Sequence, residues 1–264
     1  MKNLPTVSQS QLKAFRKLTL KKHRDADKMF LIEGPHLVSE ALRSSAKVTS
    51  VLISPSFKEK NEFQSLIHLA SKRDIPVFTA GEEQIRSLSD TVTTQGIVAV
   101  VRRTETHLEW ETRSDTAIRV VLDDVADPGN VGTIIRTCDW FGIDAVVLGG
   151  SSTELENPKV LRAAMGSTFH IPVVHETNLH AMLTSAKAAG WHIATTVPSK
   201  GVRPQRKFLL RPCCMIFGNE ARGISHELLG LAEQTLTIPG AGNAESLNVA
   251  VTCGIILAEM SETR

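Results

Sequence analysis

Residues 120–148, VVLDDVADPGNVGTIIRTCDWFGIDAVVL, are the stretch whose reading decides the fold. Val120, Val121 and Leu122 form a short apolar, β-branched run, which reads as a strand buried on both faces. Residues 123–129 then supply acids, a proline and a glycine, the composition of a tight turn. From Asn130 the period changes: Val131, Ile134, Ile135 and Cys138 recur at helical spacing, and Phe141-Gly142 closes the helix with a C′ glycine. Residues 144–148 are again strand-like. Strand, helix, strand in about thirty residues is a βαβ unit, and it predicts a parallel sheet.

The polar residues of this unit carry the functional information. Arg136 lies four positions after Gly132 and shares its helical face, and helical side chains lean toward the N-terminus. Its guanidinium is therefore expected to reach back over a glycine toward the loop that holds Asn130. Two readings stay open. One is a surface ion pair with Asp123, Asp124 or Asp127. The other is a ligand site at the strand ends, where open α/β sheets bind their ligands.

Beyond the unit, Val160, Leu161, Ala164 and Met165 give a helix over 157–167, and strands are predicted at 171–174, 191–197, 213–217 and 236–238. Helices are predicted over 179–189 and 228–233. The last helix, 246–260, is apolar nearly all round and must be buried under the sheet or against a partner subunit. Ser246 suits its N-cap, with Asn248 in its first turn. Three glycine-bearing loops, at 128–130, 218–223 and 239–245, follow strands and lie at one edge of a parallel sheet, its carboxyl edge. Glycines there let backbone approach a ligand closely, and free main-chain groups can read an adenine or a carboxylate.

The N-terminal part is a second α/β block. Strands are predicted at 30–32, 48–53, 76–78 and 97–101, with helices at 36–43, 59–72 and 82–88. A polar stretch, 104–116, without apolar periodicity, makes the linker. The expected organisation is 1–104, linker 105–116, and 117–264. Ahead of the first strand, Lys13, Arg16, Lys17, Lys21, Lys22, Arg24 and Lys28 stand against only Asp25 and Asp27. Such a run is a solvated helix face or a phosphate-contacting patch, and both readings stay open.

Hydrophobic residues make up 42% and charged residues 22%, an ordinary globular balance, and the net charge of +2 announces no partner by itself. No apolar run approaches the roughly twenty residues of a membrane helix, and the N-terminus lacks a signal peptide's apolar core. Cys138, Cys213, Cys214 and Cys253 show no CxxC spacing and read as small buried apolar residues in a reducing cytoplasm. The nine histidines lack metal-ligand spacing, so no metal is expected.

Three segments together resemble the three motifs of the SpoU (TrmH) family of RNA ribose 2′-O-methyltransferases, of the SPOUT superfamily. They are residues 130–136 (NVGTIIR), 218–224 (GNEARGI), and Ile238-Pro239 through Ser246-Leu247-Asn248-Val249-Ala250. Residues 24–101, with Phe30-Leu31-Ile32-Glu33-Gly34 and Gln95-Gly96-Ile97-Val98-Ala99, resemble the family's ribosomal-protein-like α/β substrate-binding domain more loosely. The resemblance implies S-adenosylmethionine as methyl donor, a deep trefoil knot in the C-terminal parallel-sheet domain, and a homodimer. It implies RNA as substrate, ribosomal RNA ahead of transfer RNA. Carried over residue by residue, it implies Asn130, Arg136, Glu220, Ser246 and Asn248 for catalysis. For the cofactor it implies Gly218, Asn219, Gly223, Ile238 and Leu247, with Thr195 nearby at a strand end. Family accounts often cast the motif arginine as the base, but a guanidinium has no acceptor and a pKa above about 12. A fork that binds phosphate suits Arg136 better, with Glu220 or the phosphate orienting or accepting the proton. Two other classes compete. A Rossmann oxidoreductase has only Gly240-Ala241-Gly242 as half of its fingerprint, with Glu245 in place of the third glycine. An RNA-binding module with a dead catalytic domain conflicts with the joint presence of the five candidate catalytic residues.

Overall fold

The computed structural model describes residues 4–110, 114–205 and 209–260. The chain divides into two compact units, Met1–Glu105 with Glu156–Phe169, and Thr106–Leu155 with His170–Arg264.

The first unit runs α1 (Gln9–Lys17), α2 (Lys21–Asp27), β1 (Met29–Glu33), α3 (Pro35–Arg43), β2 (Lys47–Ile53), α4 (Phe63–Lys72), β3 (Val77–Thr79), α5 (Glu82–Arg86) and β4 (Ile97–Arg102). Its sheet has the order β1-β4-β2-β3, antiparallel at β1/β4 and β4/β2 and parallel at β2/β3. Ser8 caps α1 in a reciprocal capping box with Gln11. Arg24 does not belong to a solvated basic face. It is 5% exposed, and its Nη1 donates to the carbonyls of Leu18 and Thr19 at the end of α1, at 3.1 and 3.0 Å. Those carbonyls have no partner within the helix, so the arginine supplies one. Lys13, Lys17, Lys21, Lys22 and Lys28 are exposed, as a lysine run at a surface demands.

The second unit holds β5 (Ile118–Asp123), α6 (Pro128–Trp140), β6 (Ala145–Gly149), β7 (Val173–Glu176), α8 (Leu179–Ala188), β8 (His192–Thr196), β9 (Cys213–Gly218), α9 (His226–Leu229), β10 (Gln234–Leu236) and α10 (Val249–Met260). The remaining helix, α7 (Pro158–Ala164), belongs to the first unit, where Leu161 joins the core of Ile32, Val38 and Phe57. The expectation that 117–264 forms one body therefore takes in a segment that packs elsewhere.

Six strands in the order β10-β8-β9-β5-β6-β7 make a sheet parallel throughout, as the βαβ reading requires. β5, β6 and the first five residues of β9 are buried, which matches their continuous apolar runs. In α6, Asp127 is the N-cap and accepts the Asn130 N–H, with Pro128 in the first turn. Val131, Ile134, Ile135 and Cys138 face the core, each burial contributing roughly 1.5–3 kcal/mol for a side chain of this size. The last helix starts at Val249, not Ser246, and its N-cap is Asn248, whose Oδ1 accepts from Ala250 N and Val251 N at 2.9 and 3.2 Å. It packs against α6 with Ile256 and Leu257 buried, while Val251 and Ile255 stay exposed.

The polar stretch expected as linker is tied to the second unit where it is described. The Arg119 guanidinium lies 4.4 Å from the Trp110 ring and 4.3 Å from the Trp191 ring, and Trp191 Nε1 donates to the Trp110 carbonyl at 2.9 Å. All four cysteines are free and buried, and burial pushes the Cys213 thiol up to about 12. That suits inert packing groups.

Candidate active site

β5, β9 and β10 point the same way, so the loops that leave them emerge at one sheet edge. A hydrogen-bonded chain crosses that edge. Asn248 spends its oxygen on the α10 N–H groups, so its amide nitrogen is the end left to donate, and it donates to Asn130 Oδ1 at 2.9 Å. That fixes Asn130 in turn: its Nδ2 donates to Glu220 Oε1 at 2.7 Å. The amide orientations follow from the network, as they must for asparagine. A helix N-terminus thus drives a one-directional relay that ends on a carboxylate, joining all three motif segments.

The 218–223 loop is closed on itself. Asn219 and Gly223 exchange main-chain bonds of 3.1 and 2.9 Å. Asn219 Oδ1 accepts from Ala221 N and Arg222 N, both at 3.0 Å, and its Nδ2 donates to the Asp124 carbonyl at 2.8 Å. A β-carbon on Gly218 would collide with the Gly223 backbone, so this position requires glycine. Gly240 and Gly242 differ: a β-carbon there meets nothing, so protein packing does not account for them. The stretch around them, residues 239–248, is exposed, Leu247 included, while Ile238 is half-buried. Thr195 is fully buried within β8, its hydroxyl 3.5 Å from that of Thr235.

The Arg136 side chain is exposed, and its guanidinium forms no hydrogen bond or ion pair with another described residue. The acids weighed as its partners are engaged elsewhere. Asp123 accepts from Ser225 N at 2.8 Å, Asp124 pairs with Arg222 at 3.3 Å, and Asp127 caps α6. The surface ion pair is therefore not what the structure holds. Ser246 is exposed and outside the relay as well. Of the five candidate catalytic residues, Asn130, Glu220 and Asn248 are hydrogen-bonded together, and Arg136 and Ser246 are not.

Asp124, weighed from the sequence only as an ion-pair partner for Arg136, has a different role. Asp124 has φ +58, accepts from Ser151 N through Oδ1 at 2.6 Å, pairs with Arg222 through Oδ2, and takes Asn219 Nδ2 on its carbonyl. It pins the loops after β5, β6 and β9 to one another. The only sequence signal was an Asp, tolerant of left-handed backbone, directly after a strand.

A parallel sheet with these loops at its carboxyl edge is the arrangement in which open α/β enzyme domains take their ligands. The model of the SpoU rRNA Methylase family matches residues 117–258, and that of an MRM3-like substrate binding domain matches residues 9–99. The chain belongs to the SpoU rRNA methylase family. It is 37% identical to the 23S rRNA (guanosine(2553)-2′-O)-methyltransferase RlmP of Bacillus subtilis, over 97% of this chain and 98% of that one. It is 26% identical to the 23S rRNA (guanosine-2′-O-)-methyltransferase RlmB of Neisseria meningitidis, over 88% of this chain and 95% of the other. Among solved structures, an AdoMet-bound rRNA methyltransferase from Sinorhizobium meliloti matches with a TM-score of 0.83 and 29% identity, covering 97% and 96% of the two chains. A TrmH-family RNA methyltransferase from Porphyromonas gingivalis matches with a TM-score of 0.82 and 29% identity, over 97% and 98%.

Proposed function

We propose that the protein transfers a methyl group from S-adenosylmethionine to the ribose 2′-hydroxyl of one nucleotide in ribosomal RNA. The observation that carries this reading is the Asn248–Asn130–Glu220 relay, which joins the three motif segments and holds a carboxylate at the sheet edge. Family membership and the named rRNA 2′-O-methyltransferases support it.

The cofactor supplies an activated methyl on sulfonium. The main chain of the 218–223 and 238–247 loops, with Leu247 and Ile238, would hold it, and Thr195, buried within β8, would line the strand end nearby. When bound, that methyl would pass to the ribose 2′-oxygen, with the sulfur as leaving group, while this chain's residues take the hydroxyl proton. Glu220 orients that hydroxyl and receives its proton, with Asn130 fixing the carboxylate from behind. Alignment of oxygen, carbon and sulfur supplies several kcal/mol. Arg136, exposed and without an internal partner, forks onto the RNA phosphate next to the reacting ribose. Ser246, in the loop ahead of α10, faces the same ribose.

The finer architecture belongs to the same proposal. Residues 1–104 select the RNA, and the second unit carries the chemistry within a trefoil knot formed by the chain after β9. Two copies pair through α6 and α10, which expose the apolar side chains Trp140, Val251 and Ile255. The enzyme works in the cytoplasm, where its RNA is. Tritiated-methyl transfer to total RNA tests the whole reading. Label should appear in ribosomal RNA at a bond that resists alkaline cleavage, and label confined to transfer RNA or to bases would overturn it.

A further inference from the structure

A half-open cleft lies wholly within the first unit, between β1, α3, the turn after α5, and α7. It encloses roughly 60 Å³, several times the space one water needs. Leu31, Leu37, Leu88 and Leu161 give it apolar walls suited to a flat ring. Two charged side chains in its lining are more than nine-tenths buried, Arg24 at 5% and Glu156 at 7% exposure. Neither is loose. Arg24 grips the end of α1, and Glu156 Oε1 lies 2.7 Å from Arg103 Nε. Both buried charged side chains of the lining are thus held in place.

Its carboxylates keep acceptor capacity, beside further N–H donors on the Arg162 guanidinium. Glu33 accepts from the hydroxyls of Ser89 and Thr91 at 2.6 and 3.2 Å, and Asp90 accepts from Arg162 at 3.0 Å. An ionised carboxylate offers about four acceptor sites, so both can accept more. The arginines nearby balance the carboxylates, which disfavours a cationic guest. What fits is a neutral ring edge with adjacent N–H donors. Guanine presents two, at N1 and at the 2-amino group; adenine sets a bare acceptor beside its single amino group.

Thr19, one of the lining residues, is exposed and is flanked in sequence by the exposed Lys17, Lys21 and Lys22, which suit a sugar-phosphate backbone. Most of the lining falls in residues 9–99, the part that matches a substrate-binding domain model. We infer that this cleft captures one unpaired guanine of the substrate RNA, distinct from the nucleotide that is methylated, and reads it through the Glu33 and Asp90 carboxylates. This inference rests on the proposal that the substrate is RNA.

The test uses the full chain with leucine and isoleucine methyls labelled, saturated with S-adenosylmethionine, and titrated with GMP, IMP and AMP. GMP should shift the methyls of Leu31, Leu37, Leu88 and Leu161. IMP, which lacks the 2-amino group, should bind at least fivefold more weakly, and AMP more weakly still. Glu33→Gln should weaken the GMP response and raise KM for ribosomal RNA at least fivefold, with kcat and S-adenosylmethionine affinity unchanged. Cleft methyls that ignore GMP, or answer all three nucleotides alike, overturn the inference even when RNA methylation proceeds. A GMP response in a protein that methylates no RNA would sink the functional reading instead and leave the cleft standing.

Discussion

Asn130 donates to Glu220 across 2.7 Å although ninety positions separate them in the chain. The bond has a fixed direction because Asn248 holds the other end of the Asn130 amide. Asn130→Asp removes the donor and sets a second carboxylate against Glu220, with a fold otherwise intact. Methyl transfer should fall by about a hundredfold, the scale on which one preorganised donor matters, while S-adenosylmethionine affinity stays near wild type. Single-turnover rates beside calorimetric cofactor binding check both halves; a rate within threefold of wild type would remove the relay from the mechanism.

Asp124 offers a second, separable prediction. Its backbone is left-handed and its side chain ties Ser151 and Arg222. Asp124→Asn keeps the tolerance for positive φ and an acceptor for Ser151 N, losing only the charge on Arg222, so it should melt within a few degrees of wild type. Asp124→Ala loses both anchors and adds strain of about 1–2 kcal/mol, so it should melt lower and turn over more slowly. Equal melting of the two variants would show that the loops do not depend on this residue.

How much of this was legible follows from which signals are local. The 120–148 unit announced itself because its period switches from strand to helix and back within the chain, and the parallel sheet follows. The start of α10 was misplaced because Ser246 and Asn248 are both good caps and Leu247 prolongs the apolar pattern. What decides for Asn248 is its two helix N–H groups, and its amide is then left for Asn130 on another helix. Arg24 looked like its lysine neighbours because sequence cannot show a guanidinium folding back on helix carbonyls. Leu161 was recognisable as core, but not as core of the first unit, since a partner more than a hundred residues away leaves no local mark.

The exposed lysines predict a salt-sensitive grip on RNA. Lys17, Lys21 and Lys22 changed together to glutamate should weaken RNA binding at least tenfold and flatten its dependence on salt, with cofactor affinity untouched. Filter binding from low to high potassium chloride measures both, and an unchanged dissociation constant would show that this surface is merely solvated.

Association should respond to the faces of α10 differently. Ile256 and Leu257 are buried within the protomer, so a charge there unfolds the chain and says nothing about pairing. Val251 and Ile255 are exposed at 50% and 37%. Val251→Glu with Ile255→Glu should therefore leave a folded chain that sediments as a monomer, where the wild type is expected to sediment as a dimer at micromolar concentration. A double variant that remains dimeric places the interface elsewhere.

Arg136 carries the sharpest test because the structure has already emptied the bland alternative: Asp123, Asp124 and Asp127 all have other partners. An exposed guanidinium on the helix of Asn130, without a bond to another described residue, is placed to meet something from outside. Arg136→Ala should leave stability and S-adenosylmethionine binding near wild type and slow transfer by about a hundredfold or more. Arg136→Lys keeps the charge and loses the planar fork, so it separates two roles. If two parallel N–H groups must grip one phosphate, lysine should be nearly as poor as alanine. If positive charge near the developing alkoxide suffices, lysine should recover most of the rate. Single-turnover methylation with the three proteins reads the difference directly, and a normal rate in Arg136→Ala would take this arginine out of the active site altogether.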